Sequence, residues 1–482
     1  MAGEKYGLIG KTLVHSYSKE IHEALGRYQY QLFSLSEDEM PDFIKARDFR
    51  GLNVTIPYKQ DVIPLCDEVT DLARGIGAVN TLFWKDAAGD LGNARGSGQA
   101  GGCKQAKAGT SEGANPEGKI LVGHNTDYEG FLYAASRAGI DFEDKSVLIL
   151  GTGGTSLMAR RAAADQNAAR IYIASRHPET GSPVGSGTGD SGNAGAPTGA
   201  AASSRAGSCD ITTVSYDQLP EIADSIDVIV NTTPVGTFPN NLKQVIHLKD
   251  FPNCKSVIDV IYNPFKTALL LEAEKLGLNY TNGLPMLVAQ ATAAAGYFLG
   301  TPGAFQKENE RIIKAMEQQM GNIVLIGMPG TGKSTIGKLL AELTGKTLQD
   351  MDAEIEKEAS MTIPEIFEKE GEKGFRDRES EVCRKLGKER NLIIATGGGA
   401  ILRPENVDAL RQNGTLVHIT RSVEKLPTHG RPLSKNIEAL KKMETQRMPL
   451  YKAAADLTFR NNYSCSRAKL SERIKTYILD KL

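Results

Sequence analysis

The sequence predicts an α/β protein with parallel sheets, arranged in two or three domains. Three observations predict it. At 482 residues the chain exceeds what a single hydrophobic core holds. Short apolar runs of strand character alternate with helix-forming runs over most of its length. Two of those alternations pass through a glycine-rich turn, at Ser146–Ser156 and at Asn322–Leu340, the layout in which a strand feeds a helix N-terminus.

In chain order, Tyr6–Ile9 reads as a strand, Lys19–Leu25 as a helix and Gly51–Ile56 as a second strand. Leu82–Lys85 and Lys119–Val122 read as the arms of a hairpin. Ser146–Leu150 and Arg170–Ala174 are strands flanking a helix at Leu157–Gln166, and Asp227–Asn231 and Ser256–Val260 are further parallel strands. Lys307–Gln319 is a polar amphipathic helix leading into the strand that starts near Ile323. Two stretches break this order. Asp86–Gly118 and Pro178–Cys209 are rich in Gly, Ala and Ser and nearly lack large apolar residues, so both are expected as mobile surface insertions. The boundaries that follow are 1–130, 131–305, a linker helix over 306–321, and 322–482.

Composition narrows the chemistry. Lys and Arg number 57 against 58 Asp and Glu, which gives no electrostatic reason for nucleic acid or a membrane surface as partner. No apolar run approaches a bilayer span, and Met1–Gly10 lacks the layout of a signal peptide. The six cysteines are scattered without a C-x-x-C pair, as reduced thiols in the cytoplasm would be, and they argue against structural zinc. Small-molecule chemistry is the expectation; oligomeric state is open.

The sharpest motif is Gly327-Met-Pro-Gly330-Thr331-Gly332-Lys333-Ser334, followed by Thr335. It is the full G-x-x-x-x-G-K-[ST] pattern between a strand and a helix. Its glycines let backbone N–H groups curl around phosphate oxygens, Lys333 would reach the β/γ-phosphates, and Ser334 would sit on Mg²⁺. ATP is therefore the expected ligand. The earlier turn, Gly151-Thr-Gly153-Gly154-Thr-Ser156, is a weaker fingerprint, with Ser156 in the third glycine position of G-x-G-x-x-G. A plain tight turn is its alternative. At the end of the next strand, where an NAD enzyme usually carries an acidic residue, stand Ser175 and Arg176. An arginine there fits a 2′-phosphate, so NADP(H) is favoured over NAD(H).

Polar clusters upstream are His15-Ser16-Tyr17-Ser18, Asn53-Val-Thr55-Ile-Pro57-Tyr-Lys59 and Gly123-His-Asn125-Thr126-Asp127. Taken singly, Ser16 and Ser18 can cap a helix and Lys59 can be a solvated lysine. Together they resemble the shikimate dehydrogenase family. The match continues through Gly77–Thr81, Asn231–Gly236, Asp259–Pro264 and Gly283–Ala291, covering roughly 6–300. The resemblance implies a substrate domain followed by a Rossmann-like NADP domain. It implies Lys59 and Asp127 as the catalytic pair, and Ser16, Ser18, Thr55, Asn80, Tyr262 and Gln290 as substrate ligands. Gly151, Gly153, Gly154, Ser175, Arg176 and Gly283 would hold the cofactor. The chain departs from the family at Lys19, Glu23 and Tyr128, where Pro, Asn and Gly are usual; these positions flank the site.

Downstream of the phosphate loop come Asp350-Met-Asp352, Gly374-Phe-Arg376-Asp-Arg-Glu379, Ala395-Thr-Gly397-Gly398-Gly399, Arg431-Pro-Leu and Arg447. Singly, the acidic pair can cap a helix and the arginines can be solvated. Their order resembles the shikimate kinase family from about 322 to 480. The resemblance implies a P-loop domain with a parallel sheet, in which Ser334 and Asp350 serve Mg²⁺. Lys333, Asp350 and Arg431 would be catalytic, with Arg431 on a lid shorter than the family's usual one. Asp352, Arg376, Arg447 and Gly397–Gly399 would bind shikimate, with Glu379 holding Arg376. A quinate or shikimate oxidation with NAD, and a non-catalytic metabolite sensor, are the alternatives. Arg176 speaks against the first, and the intact Lys59, Asp127, Lys333 and Asp350 against the second. Because each set of residues lies on its own side of Gly303–Gly321, the halves are expected to be self-sufficient, joined by a charged helix that packs weakly on the kinase half.

Overall fold

The computed structural model describes residues 5–13, 16–86, 118–176, 209–426, 437–461 and 466–482. Three sheets organise them. The first holds β1 (Tyr6–Gly10), β2 (Tyr30–Ser34), β3 (Gly51–Val54), β4 (Glu68–Val69), β5 (Thr81–Asp86) and β6 (Lys119–His124), in the order β2-β1-β3-β5-β6-β4. Strands β1, β2 and β3 are parallel, whereas β5 runs antiparallel to both neighbours. The expected hairpin is the β5–β6 pair, closed with Asp86 opposite Lys119. Trp84, the one tryptophan of the chain, lies on β5 and donates its indole N–H to the carbonyl of Phe49 at 2.8 Å.

The second sheet contains β7 (Ser146–Leu150), β8 (Arg170–Ser175), β9 (Asp210–Ser215), β10 (Val228–Asn231), β11 (Ser256–Asp259) and β12 (Asn279–Thr281), ordered β12-β11-β10-β7-β8-β9. From β11 to β9 every pairing is parallel. The third sheet is parallel throughout: β13 (Asn322–Ile326), β14 (Thr347–Asp350), β15 (Leu392–Ala395), β16 (Gly414–Thr420) and β17 (Leu457–Arg460), ordered β14-β15-β13-β16-β17. Strand β13 is buried at all five positions, as a central parallel strand covered on both faces should be.

Both expected insertions fall almost wholly outside the described residues, as do His15, His177 and the lid segment with Arg431. The free cysteines among the described residues are Cys66, Cys209, Cys254 and Cys383. No helix among those residues is long and apolar enough to cross a membrane.

Contact density divides the chain into two compact units; their last boundary, between Ile312 and Ile313, falls within Gly303–Gly321, but two earlier stretches go with the C-terminal unit. One unit is 1–233, 251–260 and 283–312; the other is 234–250, 261–282 and 313–482. The linker helix, Asn309–Met320, is also better packed than its charge suggested. Ile312, Ile313, Met316 and Met320 fall on one face and are buried, while the charged residues take the other. Its C-terminal end is fastened by Lys346, whose Nζ donates to the carbonyls of Gln319 at 3.0 Å and Gly321 at 2.8 Å.

Candidate active sites

In the first unit the polar clusters meet at one edge of the first sheet. Ser16 and Ser18 follow the C-terminal end of β1, Thr55 follows β3, Asn80 precedes the antiparallel β5, and Asp127 follows β6. Ligands of open parallel sheets gather at such carboxyl ends. The amide N–H of Thr55 donates to the carbonyl of Ile9, tying the first two loops together. The Ser16 hydroxyl accepts from the Ser18 N–H at 3.3 Å, whereas the N-cap of the following helix is Tyr17, without a side-chain cap.

Lys59 Nζ donates to Asp127 Oδ2 at 2.6 Å. Both side chains are largely covered, at 26% and 19% exposure. Asp127 opens a helix, Asp127–Arg137, whose entry is fixed from β5: Asn80 Oδ1 accepts from the Thr126 N–H at 2.7 Å and from the Thr81 hydroxyl at 2.8 Å. Asn80 is therefore partly spent on the scaffold. Asn53, buried beside it, donates to the Asn80 carbonyl and accepts from the Tyr30 hydroxyl. Gln290 lies on Leu284–Phe298, which packs against the Asp127 helix at Gly130. A Cβ on Gly130 would stand 2.5 Å from the Met286 carbonyl and 2.9 Å from Gln290 Cβ, so glycine is what lets these helices approach.

The dinucleotide turn has the shape its sequence suggested. Gly151 has φ +102° and passes its N–H to the Ala174 carbonyl. Gly153 and Gly154 lead into a helix over Gly154–Asp165, and a Cβ at either would meet nothing within 4 Å. Exposed backbone at a helix N-terminus suits a pyrophosphate. Ser156 is buried at the third position, Ser175 is buried at the end of β8, and Arg176 beside it is exposed. One partnership went unread in the sequence. Asp259, fully buried, accepts from Asn231 Nδ2 at 3.1 Å, and Asn231 in turn accepts from the Thr233 N–H and hydroxyl. Gly283 caps the helix that carries Gln290. Tyr262 belongs to the second unit, where its carbonyl accepts from Arg390 Nη2 at 2.7 Å.

In the second unit, β13 runs into the phosphate loop. Gly327 takes φ +144°, and a Cβ there would lie 2.3 Å from the Ile419 carbonyl. Gly330 and Gly332 also have positive φ. Thr331 is buried, its hydroxyl on the Met328 carbonyl, and Asn461 Nδ2 braces the Thr331 carbonyl at 2.8 Å. Lys333 Nζ lies inside the loop, donating to the carbonyls of Gly327 at 2.7 Å and Met328 at 3.1 Å. Ser334 and Thr335 are exposed on the first helical turn. The Ser334 hydroxyl donates to Asp350 Oδ2 at 2.7 Å, so the two expected Mg²⁺ ligands converge. A hydroxyl and one carboxylate beside a phosphate loop fit a cation that keeps most of its waters. Asp350 also caps its helix, Oδ1 accepting from the Asp352 N–H.

Arg376 and Glu379 form a buried pair, Nη1 to Oε2 at 2.7 Å. Burial pushes the Glu379 carboxyl up, offset in part by the Arg376 guanidinium. The triple glycine serves this pair directly. A Cβ on Gly399 would lie 2.0 Å from Arg376 Nη1, and one on Gly397 2.8 Å from Glu379 Oε1 and 3.0 Å from Asp352 Oδ1. Both Arg447 Nη1 and the Tyr451 hydroxyl donate to the Gly398 carbonyl, at 2.8 and 2.6 Å. Tyr451 had no role in the sequence reading; its ring stacks on His418 at 4.9 Å. Burial, and then the charge of Lys333, hold the His418 imidazole down at about 4.

Comparisons with known proteins agree with this division. A family model described as the shikimate dehydrogenase substrate binding domain matches residues 8–82, and one described as shikimate kinase matches 329–481. The chain is 31% identical over 297 residues to a shikimate dehydrogenase (NADP(+)) of Clostridium perfringens, covering 60% of this chain and 90% of that protein. It is 47% identical over 163 residues to a shikimate kinase of Nitrosomonas europaea, covering 32% of this chain and 77% of that protein. Among solved structures, a chorismate mutase/shikimate 5-dehydrogenase fusion protein from Clostridium acetobutylicum aligns with a TM-score of 0.50 at 29% identity, over 66% of this chain and 98% of that one. The chain thus belongs to the shikimate dehydrogenase family through its N-terminal part and to the shikimate kinase family through its C-terminal part.

Proposed function

We propose that this protein is a bifunctional shikimate-pathway enzyme running two consecutive steps, the reduction of 3-dehydroshikimate to shikimate with NADPH and the phosphorylation of shikimate to shikimate 3-phosphate with ATP and Mg²⁺. The observation that carries the reading is the 2.6 Å contact of Lys59 Nζ with Asp127, at the strand edge where Ser16, Ser18, Thr55 and Asn80 also gather. Ser16, Ser18, Thr55, Asn80 and Gln290 hold the hydroxyls and carboxylate of the substrate. NADPH supplies the hydride when bound. Lys59 donates a proton from Nζ to the oxygen on which negative charge develops, and Asp127 keeps the ammonium aimed. Gly151, Gly153 and Gly154 make room for the pyrophosphate, Gly283 borders the cofactor, and Ser175 and Arg176 take the 2′-phosphate.

In the second site Gly327, Gly330, Thr331, Gly332, Ser334 and Thr335 cradle the phosphates of ATP, and Lys333 compensates charge on the transferring group. Ser334 and Asp350 hold Mg²⁺. Asp352 receives shikimate hydroxyls, Arg376 and Arg447 its carboxylate, and Glu379 fixes Arg376. Arg431 adds positive charge for the transferring phosphoryl group. Four free cysteines among the described residues accord with a cytoplasmic location, and the substrates are free small molecules.

The test is a coupled assay of the purified chain with 3-dehydroshikimate, NADPH and ATP. NADPH loss and ADP release are followed separately. Each should require its own organic substrate; absence of either removes that half of the proposal.

A further inference from the structure

The three residues that precede β16, Arg411, Gln412 and Asn413, all reach a stretch of chain lying before the linker helix. Gln412 is fully buried, and its Oε1 accepts from Asn241 Nδ2 at 2.8 Å while its carbonyl accepts from the Lys266 N–H at 2.8 Å. Asn413, 3% exposed, accepts from the Phe265 N–H at 3.0 Å through Oδ1 and donates to the Gly387 carbonyl at 3.1 Å through Nδ2. Arg411 Nη1 meets Glu274 at 3.2 Å, and Lys275 meets Asp408 at 2.6 Å. Arg390 donates to the Tyr262 carbonyl and lies over the Phe265 ring at 5.3 Å. Leu242 packs against the apolar core that contains Ile394, Leu416 and Tyr451.

We infer that residues 234–250 and 261–282, although encoded within the dehydrogenase half, are a structural part of the kinase half, so that the two enzymes lose structure together. The partner of this surface on the kinase half is therefore a segment of the same chain. Leaving a buried amide without its partner costs stability, and here Gln412 and Asn413 find some of theirs among backbone and side-chain groups of the earlier segment. The more exposed of the two ion pairs, Lys275–Asp408, adds register more than strength. The flanks of both stretches are built into the other enzyme: β10 precedes 234–250, β11 lies between the two, and the Gln290 helix follows 261–282. Force or solvent that opens the seam thus disturbs both. This inference goes beyond the two activities; only its kinase readout rests on the proposed phosphorylation, and ADP release by the wild-type chain without urea checks that reading separately. It differs from the expectation of two self-sufficient halves.

The experiment is urea unfolding of the full chain and of Gln412→Ala, Asn413→Ala and Asn241→Ala variants. Trp84 emission reports the first half, because the kinase half has no tryptophan. Shikimate-dependent ADP release after urea incubation reports the second. The inference expects Gln412→Ala and Asn413→Ala to lower the Trp84 midpoint as well as the kinase midpoint. It expects Asn241→Ala to lower the kinase midpoint, and the Asn241→Ala/Gln412→Ala double variant to fall short of additivity. If the kinase-half variants shift only the kinase midpoint, or neither midpoint moves, the seam is local and the inference fails. Should a variant not fold, Arg390→Ala, at the partly exposed end of the seam, is read the same way.

Discussion

Lys59 and Asp127 lie 68 positions apart in sequence and meet at 2.6 Å, one from the turn after β3 and the other at the first residue of the helix after β6. Removing the ammonium should therefore abolish one reaction alone. Lys59→Ala is expected to reduce dehydroshikimate-dependent NADPH oxidation by about 10²–10⁴-fold, the usual range for a general acid. Shikimate-dependent ADP release by the same protein should stay near wild type. Near-normal reduction by this variant would take Lys59 out of the chemistry.

The 2′-phosphate role proposed for Arg176 predicts a change of cofactor preference. Arg176→Asp removes a guanidinium from the end of β8 and puts a carboxylate where the 2′-phosphate would sit. Losing a charge-assisted hydrogen bond, at roughly 1.5–3 kcal/mol, corresponds to about 10–100-fold in preference away from NADPH toward NADH. Comparing kcat/KM for the two cofactors checks it. A wild-type preference for NADH would be incompatible with the role given to Arg176.

Gly399→Ala tests the shikimate pocket without touching a charged group. The new Cβ would stand 2.0 Å from Arg376 Nη1, so the guanidinium must leave its place beside Glu379. The KM for shikimate should rise by about tenfold or more, equivalent to roughly 1.4 kcal/mol, while the KM for ATP changes little. A rise confined to ATP would show that the triple glycine serves the nucleotide.

His418 gives the kinase half an acid-sensitive limb. Its ring stacks on Tyr451, and burial, with the charges of Lys333 and Lys452 added, holds its pKa near 4 against 6.5 for an exposed histidine. Between those values the unfolded chain binds the extra proton and the native one does not, so stability falls as pH drops through this window. Above 6.5 the contribution is fully present. Thermal melting of His418→Phe should fall less between pH 6.5 and 4.5 than that of wild type. Parallel melting curves for the two proteins would count against the assignment.

How legible each feature was follows from the range of its contacts. The phosphate loop is one contiguous motif, so Lys333 and Ser334 could be named from spacing, and the buried β13 was visible as a short apolar run. The Gly398 carbonyl is different. Its donors come from Arg447 and Tyr451, more than forty-five positions away, and nothing local marks Tyr451 as other than a core aromatic. Asn461 bracing Thr331 and Asp259 beneath Asn231 are hidden for the same reason. The linker helix was legible as amphipathic, and its period aligns the buried Ile312, Ile313, Met316 and Met320. Gln412 and Asn413 read as turn residues, because polar groups that are buried by a remote segment carry no local signature.

The closing register of the β5–β6 hairpin has a practical use. Asp86 stands opposite Lys119, so whatever sequence joins them starts and finishes at neighbouring points of one ladder. Replacing 87–118 by an Asn-Gly turn should leave every pair from Thr81–His124 to Asp86–Lys119 in register. Shortening a loop lowers its closure entropy cost only slowly, by about 0.6 kcal/mol per halving of length. The same two residues also form a ready splice point. A passenger domain with adjacent termini, such as a fluorescent reporter, could be carried there, because the hairpin already spans the gap that a graft must bridge.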